Sequence, residues 1–213
     1  MTEPITMNRV IHDAVRRDLT RLSTALGAAR DDDRARAAEL DRAYTFLRDE
    51  LTRHHAGEDE YLWPWLATVG VDPDLLTTMQ SEHEGMSAAL AETCTAMRAY
   101  AATGSAADAA TARASVLSTQ EVVERHLTHE EQELEPQLLP HLDSPGWKAV
   151  EKKLRAVSPR VAGSFFAWLT DGMSEQDRAY LRSTVPPPVV AVLSKVLGRS
   201  YNKQIAPIWR SVS

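Results

Sequence analysis

The sequence predicts an all-α protein: an antiparallel up-down four-helix bundle followed by additional C-terminal helices. Three observations predict it. Apolar residues recur at helical spacing over long stretches, strand-like alternation is short throughout, and the breaks between the periodic stretches are brief. Long helices joined by short loops favour antiparallel neighbours, and such neighbours assemble into a bundle.

The four long helices are predicted over residues 7–29, 34–68, 72–100 and 106–139. The first carries an apolar stripe that consists of Ile11, Val15, Leu19, Leu22 and Leu26. The third begins at Asp72 and Pro73, because an aspartate N-cap accepts hydrogen bonds from exposed amides and proline is tolerated at the first helical position. Gly104 ends this helix, and prolines after residue 139 end the fourth.

The domain prediction places the bundle in residues 1–143 and a helical extension packed on it in residues 144–213. The extension is expected to form shorter helices near 146–157, 161–171, 174–183 and 187–208. Its aromatic residues include Trp147, Phe165, Phe166, Trp168 and Trp209. They either cover one side or end of the bundle or form a surface for a partner, since exposed aromatic patches are uncommon on monomers.

Composition excludes several classes of protein. The formal net charge of −6 argues against a nucleic-acid or membrane partner, because both attract a basic face. No apolar run approaches the roughly 20 residues that span a bilayer, and the N-terminus has no apolar signal core. The single cysteine, Cys94, cannot form an internal disulfide, which fits a reducing compartment. The expected location is the cytoplasm.

An internal repeat carries the chemistry. Residues 53–66 can be laid over residues 125–138 at a constant shift, so that His54 meets His126 and Glu58 meets Glu130. Apolar and proline positions match as well. Upstream of each segment lies a further histidine, His12 in the first half and His83 in the second. Each half therefore reads as one helix with a histidine and a second helix with His-x-x-x-Glu.

The spacing within each motif has a structural meaning. Residues four apart lie one above the other on a helix face, so His54 and Glu58 project side by side, as do their counterparts in the second half. His12 follows Ile11 in the apolar stripe and should also point near the core. Ionised carboxylates in a low-dielectric interior need compensation, which two metal cations can supply. Imidazole and carboxylate ligands suit iron, and the lack of thiolates argues against an iron–sulfur cluster or a zinc finger.

The motif order resembles the hemerythrin-like family with its HHE cation-binding pattern, including a proline six residues after each glutamate. The resemblance covers roughly residues 8–140, and the long C-terminal extension is similar to that of actinobacterial hemerythrin-like proteins. It implies one iron held by His12 and His54, a second held by His83 and His126, and bridging by Glu58 and Glu130. An oxo or hydroxo group is the implied third bridge.

The sequence departs from the oxygen-carrying members of that family at position 87. A second histidine is expected there, one turn after the helix-three ligand, whereas this chain has Ser87. His55, beside His54, is the candidate replacement as third imidazole of the second iron, or else it points outward. Because its counterpart in the second half is Leu127, the two irons are expected to be unequal, with an open position on the iron that has two histidines.

The resemblance implies a non-haem di-iron protein that binds a small diatomic ligand, O2 or nitric oxide, for sensing, carriage or detoxification. The alternative is a di-iron enzyme with peroxidase, catalase or nitric-oxide-processing activity, and a third reading is iron storage or a scaffold. The expected partners are O2, nitric oxide or peroxide, together with a possible redox partner. Asp59 and Glu131 either orient the ligand histidines as acceptors or are solvated. His129 and His141 are expected outside the ligand set, at the surface or behind the ligands.

Overall fold

The computed structural model describes residues 6–210, and every regular element among them is helical. The α-helices, in chain order, are α1 (Met7–Gly27), α2 (Arg34–Gly57), α3 (Trp63–Thr68), α4 (Pro73–Thr103), α5 (Ala106–His129), α6 (Glu135–Leu138), α7 (Pro145–Leu154), α8 (Pro159–Thr170), α9 (Glu175–Thr184), α10 (Pro187–Ala191), α11 (Arg199–Gln204) and α12 (Ala206–Arg210). The predicted fold class, a helical bundle with additional C-terminal helices, is confirmed. None of these helices is long and apolar enough to cross a bilayer.

Residue contacts divide the chain into two compact units. The central unit comprises residues 26–156 and contains α2 to α7. The second unit combines most of α1 with the helices after residue 156, and we call it the C-terminal unit. The domain boundary after residue 143 remains a prediction of the sequence.

Helix α4 of the central unit runs antiparallel to α5, since His83 contacts His126 while Thr93, further along α4, contacts Ser115, earlier on α5. It also runs antiparallel to α2. Arg34 at the start of α2 lies against Gly104 at the end of α4, whereas His55 near the end of α2 stacks on His83 near the start of α4. The turn between α4 and α5 depends on Gly104, whose φ of 70° is left-handed. A Cβ atom there would also lie 2.7 Å from the backbone nitrogen of Arg34, so only glycine fits.

A π-helical turn follows α2 and another follows α5, and both begin at a repeat glutamate. They span Glu58–Leu62 and Glu130–Leu134. Each turn leads into a short helix whose second residue is a proline, Pro64 or Pro136. A proline inside a helix has no N–H to donate and clashes with the carbonyl four residues earlier, so a wider turn relieves the conflict. The matching prolines therefore explain why the two long predicted helices each contain an irregular turn.

The apolar positions of the repeat meet in one cluster beyond these turns. Its buried members are Leu62, Trp63, Leu66, Val71, Met79, Leu134, Leu138 and Val150. Leu62 and Leu134 are equivalent positions of the repeat, as are Leu66 and Leu138. Burial of these side chains stabilises the end of the bundle by about 2 kcal/mol each, which fixes the turns that carry the two glutamates.

The C-terminal unit has a polar contact at its centre. The carboxylate of Asp18 on α1 is 1% exposed and accepts hydrogen bonds from Arg17 Nε at 2.9 Å and from the buried indole of Trp168 at 2.9 Å. Arg21 Nη1 donates to the same carboxylate at 3.1 Å. Because the buried charge is fully engaged by donors, α8 is tied to a defined face of α1.

Candidate metal centre

The central unit contains six of the seven predicted site residues. His54, His55 and Glu58 lie at the end of α2 and the first π turn, His83 lies on α4, and His126 and Glu130 lie at the end of α5 and the second π turn. His54 is partly exposed, and the other five side chains are buried. The seventh residue, His12, is buried on α1 in the C-terminal unit, and its role as a ligand remains a prediction.

Two groups of possible ligand atoms form within the central unit. One consists of His55, His83 and His126, and the other of His54, His55 and Glu58. In each group the ligand atoms lie within 4.8 Å of one another, which is close enough for one metal ion to reach them all. His55 belongs to both groups, so its ring points into the bundle and not toward solvent.

The Nε2 atoms of His83 and His126 face each other at the centre of the candidate ligands and are 3.2 Å apart. The repeat glutamates flank this pair. Glu58 Oε2 lies 3.6 Å from His83 Nε2, and Glu130 Oε2 lies 3.8 Å from His126 Nε2. Glu58 Oε1 also lies 3.3 Å from His54 Nε2. Helical spacing of four residues thus brings each histidine of the repeat to the glutamate that follows it.

The far nitrogens of both central rings are held by carboxylates. Asp59 Oδ1 lies 2.7 Å from His83 Nδ1, and Glu82 Oε2 lies 2.9 Å from His126 Nδ1. A carboxylate can only accept, so each Nδ1 donates its proton and each Nε2 presents a lone pair to the site. In metal sites, a carboxylate that accepts from the far ring nitrogen is the partner that holds a metal-binding imidazole in place. Asp59 thus contacts a candidate ligand histidine, and its orienting role remains a prediction.

The candidate ligands lack a positive charge beside the two Nε2 lone pairs. Two neutral imidazoles that face each other at 3.2 Å repel, because both present the negative end of their dipoles. The two repeat glutamates are 3% and 2% exposed and place two carboxyl groups at the same point. Among residues 6–210, the ion pairs of Glu58 involve only histidines, and its Oε2 atom has no hydrogen-bond partner. A cation between these atoms would satisfy all of them, so the residues fit a metal.

Burial and neighbouring charge change the acid–base behaviour of the site. Burial raises the pKa of Glu58 well above its ordinary value, and the charges of Glu130 and Asp59 and a hydrogen bond with Glu130 raise it further. Burial lowers the pKa of His126, although Glu130 and Glu82 act in the opposite direction. The metal-free site therefore favours a protonated Glu58 and a neutral His126. A metal ion would have to displace the proton on the carboxyl group.

The position that corresponds to His55 in the second half of the repeat is Leu127, which is completely buried. The His55 ring stacks on His83 with 4.2 Å between ring centroids and meets His126 edge-on at 5.4 Å. The two halves of the repeat thus differ at equivalent inward positions, one with an imidazole and the other with an apolar side chain.

Two residues of the site carry no signal that sequence reasoning could have used. Glu82 accepts from His126 and also lies 2.8 Å from Nδ1 of His129, which is partly exposed. Its partners are on α5, more than 40 residues away along the chain, so no local spacing reports the contact. Trp63 is buried and stacks on His83 at 5.6 Å. It lies inside the repeat, but its counterpart is Glu135, so the repeat itself does not mark it.

The fold and the site together define a class: an all-helical protein whose core holds histidines and glutamates that could bind metal. A sequence profile of the family described as Hemerythrin HHE cation binding domain matches residues 4–138, more than half of the chain. The protein therefore belongs to the hemerythrin HHE family, and the resemblance drawn from the repeat is confirmed. No curated protein and no solved structure matches the chain significantly.

Proposed function

We propose that the protein is a non-haem di-iron protein that binds a small diatomic ligand, O2 or nitric oxide, at a carboxylate-bridged site. The observation that carries the proposal is the pair of Nε2 atoms of His83 and His126, which face each other at 3.2 Å while carboxylates hold both Nδ1 atoms. Histidines fixed in this way are ready to bind a metal without reorganisation. The biological role in this proposal is sensing, carriage or detoxification.

The chemistry of the donors supports iron. The candidate ligands are imidazoles and carboxylates, and the only cysteine of the chain, Cys94, lies elsewhere beside Arg48. Such a set suits iron and other borderline metals, and it is unlike the thiolate sites of structural zinc. In the proposal Glu58 and Glu130 bridge the two ions, His83 and His126 bind one of them, and His54 binds the other. The assignment of His12 beside His54 rests on the sequence and is part of the proposal.

The difference between His55 and Leu127 supports an unequal pair of metal positions. His55 lies within the group formed with His83 and His126, so it would supply a third imidazole to that position. The other position would have fewer protein ligands and hence room for a small molecule. Bound iron would supply the redox-active point of attachment for that ligand. The protein's own part is to exclude bulk water, which the burial of Glu58, Glu130 and their apolar neighbours accomplishes.

A rapid-mixing experiment tests the proposal. Iron-loaded protein of known metal content is chemically reduced and mixed in turn with O2, nitric oxide and peroxide, and the absorption spectrum is followed. We expect a stable spectrum with O2 or nitric oxide that reverts when the gas is removed. Repeated consumption of peroxide or nitric oxide without a stable bound form would instead favour the enzymatic alternative. Protein that retains no stoichiometric transition metal would refute both.

A further inference from the structure

The overall charge of −6 conceals an uneven distribution along the chain. Residues 26–156 contain 13 Lys and Arg against 24 Asp and Glu, a net charge of −11, so the remainder of the chain carries +5. The excess is strongest at the end. Residues 178–213 include six Lys and Arg and neither Asp nor Glu. Such a local excess of one sign creates a positive potential that the total charge does not reveal.

Part of this positive charge lines a groove of about 580 Å³ in the C-terminal unit. Three cations border it: Arg160 at the start of α8, and Arg199 and Lys203 on α11. Ser158, Ser200 and Gln204 add neutral polar groups, and no carboxylate is among the lining residues that belong to 6–210. These lining residues therefore present hydrogen-bond donors and positive charge.

The three cations have no partner within residues 6–210, since none of them takes part in an ion pair or a side-chain hydrogen bond there. The acidic groups of the same unit are engaged elsewhere. Asp171 accepts from Tyr201, and Asp177 accepts from Ser174. Glu175 pairs with Arg178. The positive charge of the groove is thus not balanced by these acidic side chains.

Guanidinium groups favour phosphate, because their planar donors match two phosphate oxygens at once, and a lysine adds a compact charge. The hydroxyl and amide groups of the groove can donate to further oxygens. The size of the groove is within the range of small-molecule sites, about 300–1,000 Å³. Its lining contains no aromatic side chain, so it offers no surface on which a base would stack.

We propose that this groove binds a phosphate-bearing anion through Arg160, Arg199 and Lys203. The phosphate belongs either to a free small molecule or to the headgroup of a lipid, and the chemistry of recognition is the same. None of the residues that line the groove is a candidate metal ligand, so binding in the groove does not require the metal. The inference therefore stands or falls separately from the proposed function.

Calorimetric titration of the 213-residue protein as purified tests the proposal, with butane-1,4-diyl bisphosphate as the soluble probe. In a second arm the protein is sedimented with vesicles of phosphatidylcholine that contain a minority of phosphatidylglycerol. We expect saturable binding in at least one arm. The double variant Arg160→Gln with Arg199→Gln should weaken it by about tenfold or more, because two charge-assisted contacts are lost.

The matched control is the double variant Arg182→Gln with Lys195→Gln, which removes the same charge from residues outside the groove. Its binding should change by less than about twofold, since only the long-range field is altered. Binding to the bisphosphate identifies a soluble anion as the ligand, and binding to vesicles alone identifies a headgroup. Absence of saturable binding in both arms overturns the proposal, as does an equal loss in the two double variants.

Discussion

The side chains of His83 and His126 meet through their Nε2 atoms at 3.2 Å, and each ring is held from behind by a carboxylate. The two residues come from different helices and are 43 positions apart. Both are buried, and burial lowers the pKa of His126. The geometry is one that a metal ion between the rings would stabilise.

Replacement of Glu58 by Gln should lower the metal content of the purified protein. The substitution preserves the shape of a buried side chain but removes the negative charge that a cation requires. Metal per chain, measured by inductively coupled plasma mass spectrometry, should fall by about one ion or more. Glu60→Gln is the matched control, since Glu60 is exposed in the same π turn. Equal metal content in the two variants would contradict the bridging role of Glu58.

Replacement of Glu82 by Gln should weaken metal binding without abolishing it. Glu82 accepts from His126 and so fixes the ring orientation, and loss of such a partner costs roughly 10- to 100-fold in metal affinity. Competition with a chromophoric chelator measures the change. Glu84→Gln, an exposed neighbour on α4, serves as the control and should keep the parental affinity. If both variants keep the parental metal affinity, the hydrogen bond from His126 to Glu82 does not contribute to metal binding.

His55→Ala should change the metal centre, because the ring stacks on His83 and faces His126. We expect an altered charge-transfer spectrum, and we expect the affinity for one metal ion to fall by about tenfold or more. His141→Ala is the control, since His141 lies outside both groups of candidate ligands. An unchanged spectrum and unchanged metal content would remove His55 from the ligand set.

Acidification should bring the stabilities of the metal-loaded and metal-free proteins closer together. The pKa of Glu58 in the folded, metal-free protein is raised, chiefly by burial. Its protonation therefore contributes stability that is fully present below the unfolded pKa and is lost as pH rises through the folded pKa. Metal binding needs the ionised carboxylate, so stabilisation by metal decreases on acidification.

Differential scanning calorimetry of both forms across pH 4 to 8 checks this expectation, because the difference in Tm between them should shrink toward the acidic end. The Glu58→Gln variant provides the control. Its metal-free form should lose part of the pH dependence, since the titrating group is gone. A difference in Tm that is constant across the range would show that Glu58 does not couple protons to the metal.

Asp18→Asn should destabilise the C-terminal unit. The carboxylate is 1% exposed and accepts from Arg17, Arg21 and the Trp168 indole. The asparagine side chain has no negative charge and only one acceptor oxygen, so it cannot accept from all three donors equally well. The two arginines are partly exposed, so water can replace part of the hydrogen bonds that they lose. We therefore expect the free energy of unfolding to fall by about 2 kcal/mol. Urea denaturation measures it. Asp13→Asn, an exposed aspartate on α1, should change stability by less than about 0.5 kcal/mol.

The sequence alone predicts the helices and reveals the repeat, because both are recorded in patterns of neighbouring residues. Periodicity located the four long helices, and the cap at Asp72 and the break at Gly104 were both correct. The predicted end of the first helix at residue 29 was two residues too late, since α1 ends at Gly27. The prolines are part of the repeat motif, but the motif does not indicate the π turns before them. A proline can also end or kink a helix, so its position alone does not select a wider turn.

The sequence by itself determined the helical fold, the family and the pairing of each repeat histidine with the glutamate four residues later. These features follow from backbone periodicity, which acts over one or two helical turns. Only the tertiary structure decided that His55 points inward, that Glu82 joins His126 to His129, and that three unpaired cations share one groove. The physical reason is that these contacts join different helices, whose relative rotation is fixed by side-chain packing and leaves no periodic signal in the chain.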